Sequence, residues 1–149
     1  MALCKCFMKP IFERAHYYED MLPTLERLRL MGYKMAVVSN TTWGSPANLW
    51  REHLEQLGLS RYFDLIVFCR DVGWRKPERQ IFEYALQKLE LFLNEAFLLG
   101  DDPRWDIVGP KAVGIYPILL DRKGLHENSE KGQICIRNLT ELIHKLPHI

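Results

Sequence analysis

Three clusters of polar side chains carry the residue types that phosphoryl-transfer chemistry uses, and each cluster follows an apolar run. Ser39 and Asn40 follow the first run, Lys76 follows the second, and Asp101 and Asp106 follow the third. A hydroxyl group and backbone amides can donate to phosphate oxygens, and a lysine can neutralise phosphate charge. Carboxylate oxygens are the ligands that Mg²⁺ prefers. If they converge, these residues therefore indicate phosphate and magnesium chemistry.

Each cluster taken alone also has a structural explanation. A serine after a strand commonly forms a turn or caps a helix, and a lysine before a proline is commonly solvated at the start of a helix. Aspartates in a loop often cap the next helix, because carboxylates are favourable at its positive end. The functional interpretation therefore depends on all three clusters lying together.

Helical and strand patterns alternate along the chain. Strands are predicted at residues 34–38, 64–69, 95–99, 115–120 and 133–136. Helices are predicted after Asp20, after Ser45, after Lys76, around residues 105–112 and after Asn138, with Asp20 and Asn138 as capping residues. This alternation predicts an α/β domain with right-handed crossovers and a doubly wound parallel sheet covered on both faces. Ligands bind such sheets just beyond the carboxyl ends of the strands, where the three clusters lie.

Composition narrows the functional classes. A chain of 149 residues suits one hydrophobic core, and a formal net charge of +1 provides no field that would attract nucleic acid. No apolar run approaches the ~18–20 residues of a membrane span, and the amino-terminal segment does not resemble a signal peptide. Four scattered cysteines are typical of reduced thiols in a cytoplasmic protein and do not match zinc-ligand spacing. Neither nucleic acid nor membrane is expected as a partner.

Three segments resemble motifs of the haloacid dehalogenase-like (HAD) superfamily. Residues 25–40, 75–82 and 99–114 are similar to its second, third and fourth motifs, and the resemblance extends from about residue 20 to 120. The resemblance implies a Rossmann-like three-layer α/β/α core. It also implies Mg²⁺-dependent hydrolysis of a phosphate monoester, through an aspartyl-phosphate, with a small phosphorylated metabolite as substrate.

The same resemblance assigns roles to the clustered residues. Ser39 and Lys76 take the catalytic positions, and Asn40 joins them in binding phosphate; Asp101 and Asp106 are the metal ligands. A minority of the family are dehalogenases. Displacing halide from carbon needs no divalent metal, so the acidic loop favours a phosphatase over a dehalogenase.

The first motif of the family, an Asp-x-Asp that supplies the nucleophile and the acid–base group, has no counterpart, because no aspartate precedes Asp20. One interpretation is a truncated protein, in which residues 1–19 are the remnant of a cap or preceding segment and residues 20–149 form the core domain. The other places Cys4 and Cys6 where Asp-x-Asp would lie, which describes a pseudoenzyme. The first is favoured. Either way the chain alone is predicted to be inactive, and a non-catalytic phosphate-binding or regulatory module is the alternative function.

Loss of the first motif also has a structural consequence. The first strand of the family lies centrally in the sheet, between the strands that lead to the second and fourth motifs. Without it, those two strands would face a gap with unpaired backbone groups, which cost about 1–3 kcal/mol each when buried. Three outcomes are expected: residues 2–8 occupy the gap as a strand, the chain self-associates, or the chain is only marginally stable.

Overall fold

The computed structural model describes residues 2–126 and 134–146, with the side chains of residues 2 and 3 left out. Seven α-helices lie in these ranges: α1 (Ala2–Arg14), α2 (Met21–Leu30), α3 (Ala47–Gln56), α4 (Cys69–Val72), α5 (Arg79–Leu89), α6 (Gly109–Val113) and α7 (Thr140–Lys145). The strands are β1 (Ala36–Ser39), β2 (Leu65–Phe68), β3 (Phe97–Gly100), β4 (Tyr116–Leu120) and β5 (Ile134–Ile136). None of the helices in these ranges has the length and apolar character needed to cross a membrane.

The parallel sheet is present, but it is divided into two pieces. One piece pairs β1 with β2, and the other has the order β3-β4-β5; every pairing is parallel. Within each piece the register is regular, with Val38 opposite Val67 and Leu99 opposite Ile118. The predicted α/β architecture is therefore confirmed, and within the described ranges no ladder joins the strands that lead to the second and fourth motifs.

The two strands that face each other across the division of the sheet, β1 and β3, are less buried than the central strand β4. All four residues of β1 and all four of β3 are only partly buried. In contrast, β4 has a partner on each side, and its Ile118 and Leu119 are 0% and 1% exposed. A parallel sheet covered by helices normally buries its strands completely, so β1 and β3 have the burial expected of edge strands.

Helices cover both faces of the divided sheet. On one face, α2 and α7 pack against β4 and β5 through Leu25, Leu28, Ile118, Ile136 and Leu142. On the other face, α5 packs through Ile81, Phe82 and Leu86 against Val67 and Ile115. Within the described ranges, side chains rather than strand-to-strand hydrogen bonds therefore join the two sheet pieces.

The amino-terminal segment corrects one expectation. Residues 2–14 form helix α1, so residues 2–8 are not a strand, and Cys4 and Cys6 do not occupy a first-strand position. The reason is the helical spacing of Lys5, Met8 and Phe12, which places all three on one face. Met8 is 1% exposed, and Lys5 lies 3.4 Å from a carboxylate of α3. Phe12 stacks on His53 of α3 with ring centroids 4.4 Å apart.

The side chain of Asp20 does not cap α2 as predicted. It occupies the position before α2, but its side chain makes no capping hydrogen bond. The carboxylate instead accepts two hydrogen bonds of 2.9 Å from Arg122 and one of 2.7 Å from the backbone N–H of Leu139. Burial raises the pKa of Asp20, but these hydrogen bonds and the Arg122 charge outweigh it and hold the pKa below its usual value. Asp20 therefore ties the start of α2 to the segments around β4 and α7.

The predicted capping hydrogen bond from Asn138 is confirmed. Its Oδ1 accepts a hydrogen bond of 3.1 Å from the backbone N–H of Glu141, inside α7. The last predicted strand is confirmed at residues 134–136, while residue 133 lies outside the described ranges.

Candidate functional site

A buried ion pair connects two of the three clusters. Lys76 Nζ donates to Asp106 Oδ1 over 2.5 Å, and the two side chains are only 12% and 6% exposed. Lys76 follows β2 and α4, whereas Asp106 lies in a π-helix (Pro103–Val108) that begins after β3. The pair therefore bridges the two sheet pieces at the carboxyl ends of their strands, as the sequence analysis predicted for residues of these clusters.

The side chain of Asn40 fixes the backbone of Lys76. Asn40 Oδ1 accepts from the Lys76 N–H at 2.8 Å, and Asn40 Nδ2 donates to the Lys76 carbonyl at 3.0 Å. The peptide bond from Lys76 to Pro77 is cis. Asn40 was predicted to bind phosphate; here its amide positions the lysine that would do so.

Gly100 allows the carboxylate of Asp106 to lie against the end of β3. A Cβ atom at Gly100 would lie 2.2 Å from Asp106 Cγ, closer than any real contact. Asp106 Oδ2 also accepts from the backbone N–H of Asp102 at 3.2 Å. The short distance between Gly100 and Asp106 explains why a residue without a side chain precedes the acidic pair.

Asp101 and Asp102 have different surroundings. Asp102 caps the π-helix, since its Oδ1 accepts from the N–H groups of Arg104 and Trp105 at 2.9 and 3.2 Å. Asp101 is exposed, and its carboxylate has no hydrogen bond or ion pair among the described residues. Asp101 is therefore free to bind a ligand, whereas Asp102 is committed to the helix.

A second close approach holds the site together. A Cβ atom at Gly109 would lie 2.7 Å from Pro77 Cβ and 2.9 Å from Pro77 Cα. The absence of a side chain at Gly109 lets α6 contact the residue after Lys76. The second and third clusters are thus joined by this close contact as well as by the ion pair.

The side chain of Ser39 bonds to its neighbour in sequence and not to the other predicted site residues that the structure describes. Ser39 ends β1, and its Oγ donates to the Asn40 carbonyl at 3.3 Å. No bond from Ser39 to Lys76 or Asp106 is present in the part of the chain that the structure describes. The neighbouring Thr41 was not singled out, yet it is 5% exposed and its N–H donates to Cys69 Sγ at 3.3 Å. The sequence feature that could have identified Thr41 is its position in the same polar turn after β1.

Two arginines near the site in sequence pack on one tryptophan ring. The guanidinium carbons of Arg75 and Arg104 lie 5.4 and 4.6 Å from the centroid of the Trp105 ring. Both arginines are exposed, and the described residues offer neither an acidic partner. Arg75 precedes Lys76 directly and Arg104 follows Asp101 by three residues, so both cations lie close to the candidate site in sequence.

The carboxylate oxygens of the site are of the kind that binds Mg²⁺, but they would supply only some of its ligands. Mg²⁺ keeps several waters and is commonly held by one or two carboxylates together with phosphate oxygens. Asp101 is open, and Asp106 has one oxygen engaged by Lys76 and the other by the Asp102 N–H. Among the described residues no group of three or more His, Cys, Asp or Glu side chains could enclose a metal. Asp101 and Asp106 offer the oxygen type that Mg²⁺ prefers, and an ion there would need further ligands such as phosphate or another carboxylate.

Comparison with known proteins supports the family resemblance. The model for haloacid dehalogenase-like hydrolases matches residues 4–119, a range that contains all the predicted site residues. A ribulose-1,5-bisphosphate 5-phosphatase from Halopiger xanaduensis is 31% identical over 141 residues, covering 95% of this chain and 56% of that protein. A glyceraldehyde 3-phosphate phosphatase from Methanopyrus kandleri is 33% identical over 113 residues, covering 76% and 46%. The chain thus spans about half the length of these relatives.

Solved structures give the same result for the fold. A HAD phosphatase from Thermococcus onnurineus superimposes with a TM-score of 0.81 at 32% identity, covering 95% of this chain and 63% of that one. A 2-haloacid dehalogenase from Pseudomonas syringae superimposes with a TM-score of 0.77 at 25% identity, covering 91% and 55%. These similarities confirm the predicted Rossmann-like core.

Proposed function

The chain belongs to the haloacid dehalogenase-like hydrolase family, and we propose that it forms the phosphate-binding and metal-binding core of a phosphate monoester hydrolase. The observation that carries this proposal is the buried network of Asn40, Lys76 and Asp106 at the carboxyl ends of the strands. Such a network holds a cation at a fixed position before any ligand arrives. Preorganised charge of this kind stabilises a transferring phosphoryl group at little reorganisation cost.

Each residue has a definite task in this proposal. Lys76 donates from Nζ to a phosphate oxygen, while Asp106 and Asn40 keep its side chain and backbone in place. Ser39 Oγ turns from the Asn40 carbonyl to donate to a second phosphate oxygen. Asp101 and Asp106 would hold Mg²⁺, which when bound supplies positive charge to the phosphate oxygens.

The nucleophile comes from elsewhere in this proposal. Asp106, the carboxylate next to Lys76, is already bonded to it, and no aspartate precedes Asp20 in the chain. We therefore infer that this chain alone binds phosphate but hydrolyses phosphate esters no faster than the uncatalysed rate. Activity requires an aspartate from a segment that carries the first motif of the family.

A small phosphorylated metabolite is the substrate class that we propose. The relatives named above are phosphatases for ribulose-1,5-bisphosphate and for glyceraldehyde 3-phosphate. In this chain the exposed guanidinium groups of Arg75 and Arg104 would favour a substrate that carries a second anionic group.

The test compares this chain with a version extended at its amino end by a strand ending in Asp-x-Asp. Hydrolysis of a panel of phosphate esters is measured with and without Mg²⁺. We expect Mg²⁺-dependent turnover only in the extended protein, and loss of that turnover in its Asp101→Asn variant. Glu19→Gln is the matched control, because Glu19 is an exposed carboxylate outside the site. An extended protein that folds but hydrolyses none of the esters would refute the proposal.

The second candidate function is a phosphate-binding module without catalysis. The network of Asn40, Lys76 and Asp106, which holds a cation in place without a nucleophile, favours it. Calorimetric titration with inorganic phosphate and Mg²⁺ separates the two candidates. Binding that persists in the extended protein without turnover would favour the module, whereas an absence of binding would exclude it.

A further inference from the structure

Side chains hold helix α1 on the rest of the molecule. In the described part of the chain, the backbone hydrogen bonds that leave α1 reach only Ala15. The contacts of α1 with α3 include the ion pair of Lys5 with Glu52, at 3.4 Å, and the aromatic contacts of Phe12. A change in one of these side chains therefore acts directly on the docking of α1.

The imidazole of His53, in α3, lies in this interface without a polar partner. Its ring stacks on Phe12 with centroids 4.4 Å apart and planes 19° apart, and Phe12 also meets the ring of Trp50 edge to face. Both ring nitrogens of His53 are buried, and neither has a hydrogen-bond partner among the described residues. Buried polar side-chain atoms usually have such a partner, so His53 is an exception with an energetic cost.

Protonation would raise this cost. A neutral imidazole has one N–H donor and one acceptor, whereas the protonated ring has two donors and a positive charge. Burial disfavours the charged form and lowers the pKa of His53 below its usual value. A cation above the Phe12 ring gains some attraction, but two buried N–H groups without acceptors lose more than this contact returns. The docked helix therefore favours the neutral ring.

The charged groups beside His53 are already paired with one another. A groove of about 540 Å³ lies between α1 and α3. The titratable residues that line it together with His53 are Lys5, Cys6, Lys9, Glu13 and Glu52. Lys5 lies 3.4 Å from Glu52, and Lys9 lies 3.8 Å from Glu13. Two lysines and two glutamates leave no net charge that would compensate an imidazolium.

Two other segments pack against α3, and their charged residues have partners elsewhere or are themselves cations. α4 carries Arg70 and Asp71, and the Asp71 carboxylate is paired with Arg51 at 2.8 Å. The turn that follows α3 carries Arg61, which is also a cation. An imidazolium at His53 would therefore be stabilised by water, which reaches the ring when α1 moves away.

We propose that neutral His53 docks α1 on α3 and that uptake of one proton at His53 releases the helix, which makes the position of α1 dependent on pH. Release separates Phe12 from the imidazole and opens both ring nitrogens to water. This inference concerns a conformational equilibrium, so it stands or falls separately from the proposed hydrolase activity.

Release of α1 would also change a contact close in sequence to the first cluster. Phe7 of α1 meets Trp43 edge to face, with centroids 5.5 Å apart. Trp43 is 72% exposed and follows Ser39 and Asn40 by only a few residues. Proton uptake at α3 is thus coupled to the freedom of an aromatic side chain beside the polar turn after β1.

The pH range of the release follows from the direction of the pKa shift. His53 has its usual pKa, about 6.5, when α1 is released, and a lower pKa when α1 is docked. Docking is therefore strongest above about pH 6.5, weakens as the pH falls from there to the docked pKa, and is constant below that value. Because one proton is taken up, the docking equilibrium constant falls by at most about tenfold per pH unit.

The experiment measures hydrogen exchange of the α1 amides at about pH 7.5, 6.5 and 5.5, with rates corrected for the intrinsic effect of pH on exchange. Nuclear magnetic resonance titration of the His53 ring gives its pKa directly. The His53→Phe variant keeps an aromatic ring that cannot titrate. His144→Phe is the matched control, because His144 is an exposed histidine in α7. The amides of β4 report on unfolding of the whole chain.

We expect the pKa of His53 to lie below about 6.5. Protection of the α1 amides should fall by at least about threefold between about pH 6.5 and pH 5.5, while β4 keeps its protection. In His53→Phe the protection of α1 should not change with pH, and in His144→Phe it should follow the unmodified chain.

Four results would overturn the proposal. The first is a His53 pKa at or above its usual value, and the second is α1 protection that does not change with pH. The third is an equal pH response in His53→Phe, which would show that another group titrates. The fourth is a parallel loss of protection in β4, which would identify unfolding of the whole chain. If His53→Phe fails to fold, the titration and exchange profile of the unmodified chain still decide the matter.

Discussion

The ion pair of Lys76 and Asp106 can be tested by a double-mutant cycle with Lys76→Met and Asp106→Asn. Both side chains are nearly excluded from solvent, with 12% and 6% exposed, and their charged atoms are 2.5 Å apart. Removing one partner of a buried pair leaves the other charge without compensation, which costs about 3–5 kcal/mol. We therefore expect each single variant to lose about 3 kcal/mol of unfolding free energy.

The double variant should be no less stable than either single variant, because removing both charges also removes the desolvation penalty. This corresponds to a coupling energy of about 3 kcal/mol, at the upper end of the usual range. Urea unfolding monitored by tryptophan fluorescence gives the free energies. The exposed pair of Arg79 and Glu83, at 2.6 Å, is the matched control and should couple by only about 0.3–0.5 kcal/mol. Losses that add for Lys76 and Asp106, within about 0.5 kcal/mol, would refute the interpretation of a buried, mutually dependent pair.

Three further predictions concern single positions. Gly100→Ala places a Cβ atom 2.2 Å from Asp106 Cγ, so we expect a loss of about 1–3 kcal/mol in urea unfolding; an unchanged midpoint would contradict this packing. Asp20→Asn should cost about 1.5–3 kcal/mol at pH 7. Because the pKa of Asp20 is lowered in the folded state, this difference should persist above the unfolded pKa near 3.9 and disappear as the pH falls through the folded pKa; a difference independent of pH would exclude the ionic contribution. Met8→Ala should cost about 2–5 kcal/mol in thermal unfolding, since Met8 is 1% exposed, and an unaffected melting temperature would show that α1 adds no stability.

Much of the fold was predictable because its strands are short apolar runs between helical patterns. The runs at residues 34–38, 64–69 and 95–99 correspond to β1, β2 and β3 with boundaries shifted by one or two residues. Each run ends where polar residues must leave the core, and that local signal does not depend on the rest of the chain. The division of the sheet was predictable from family topology, but the residues of β1 and β3 alone did not reveal it.

The amino-terminal segment was harder to predict. Residues 2–8 are apolar enough for a strand, and the helix places the buried Met8 and Phe12, which stacks on His53 of α3, on one face. Asp20 has the residue type of a helix cap, and its partner Arg122 lies 102 positions away. Contacts of this kind depend on tertiary structure and leave no local pattern.

At the site, the sequence located the clusters but not the bonds between them. Lys76 and Asp106 were predicted as ligands for phosphate and metal, and the structure adds that the two side chains pair directly. Phosphate binding by Asn40 stays a prediction, and the structure adds that its amide holds the backbone of Lys76. Side-chain hydrogen bonds between residues 30 or more positions apart cannot be derived from spacing. The pattern of Gly100 followed by two aspartates was nevertheless sufficient to place the acidic residues at the end of β3.

The division of the sheet has a consequence for how the molecule opens. Because no hydrogen bond in the described part of the chain joins the ladder of β1 and β2 to that of β3, β4 and β5, each ladder can break without breaking the other. The two ladders therefore form separate cooperative units, whose amides exchange with solvent at different free energies. Apolar contacts of α2 and α5 and the ion pair at Lys76 couple these units across the described residues. A segment that paired with both ladders would merge them into one unit and raise the protection of the weaker one to that of the stronger.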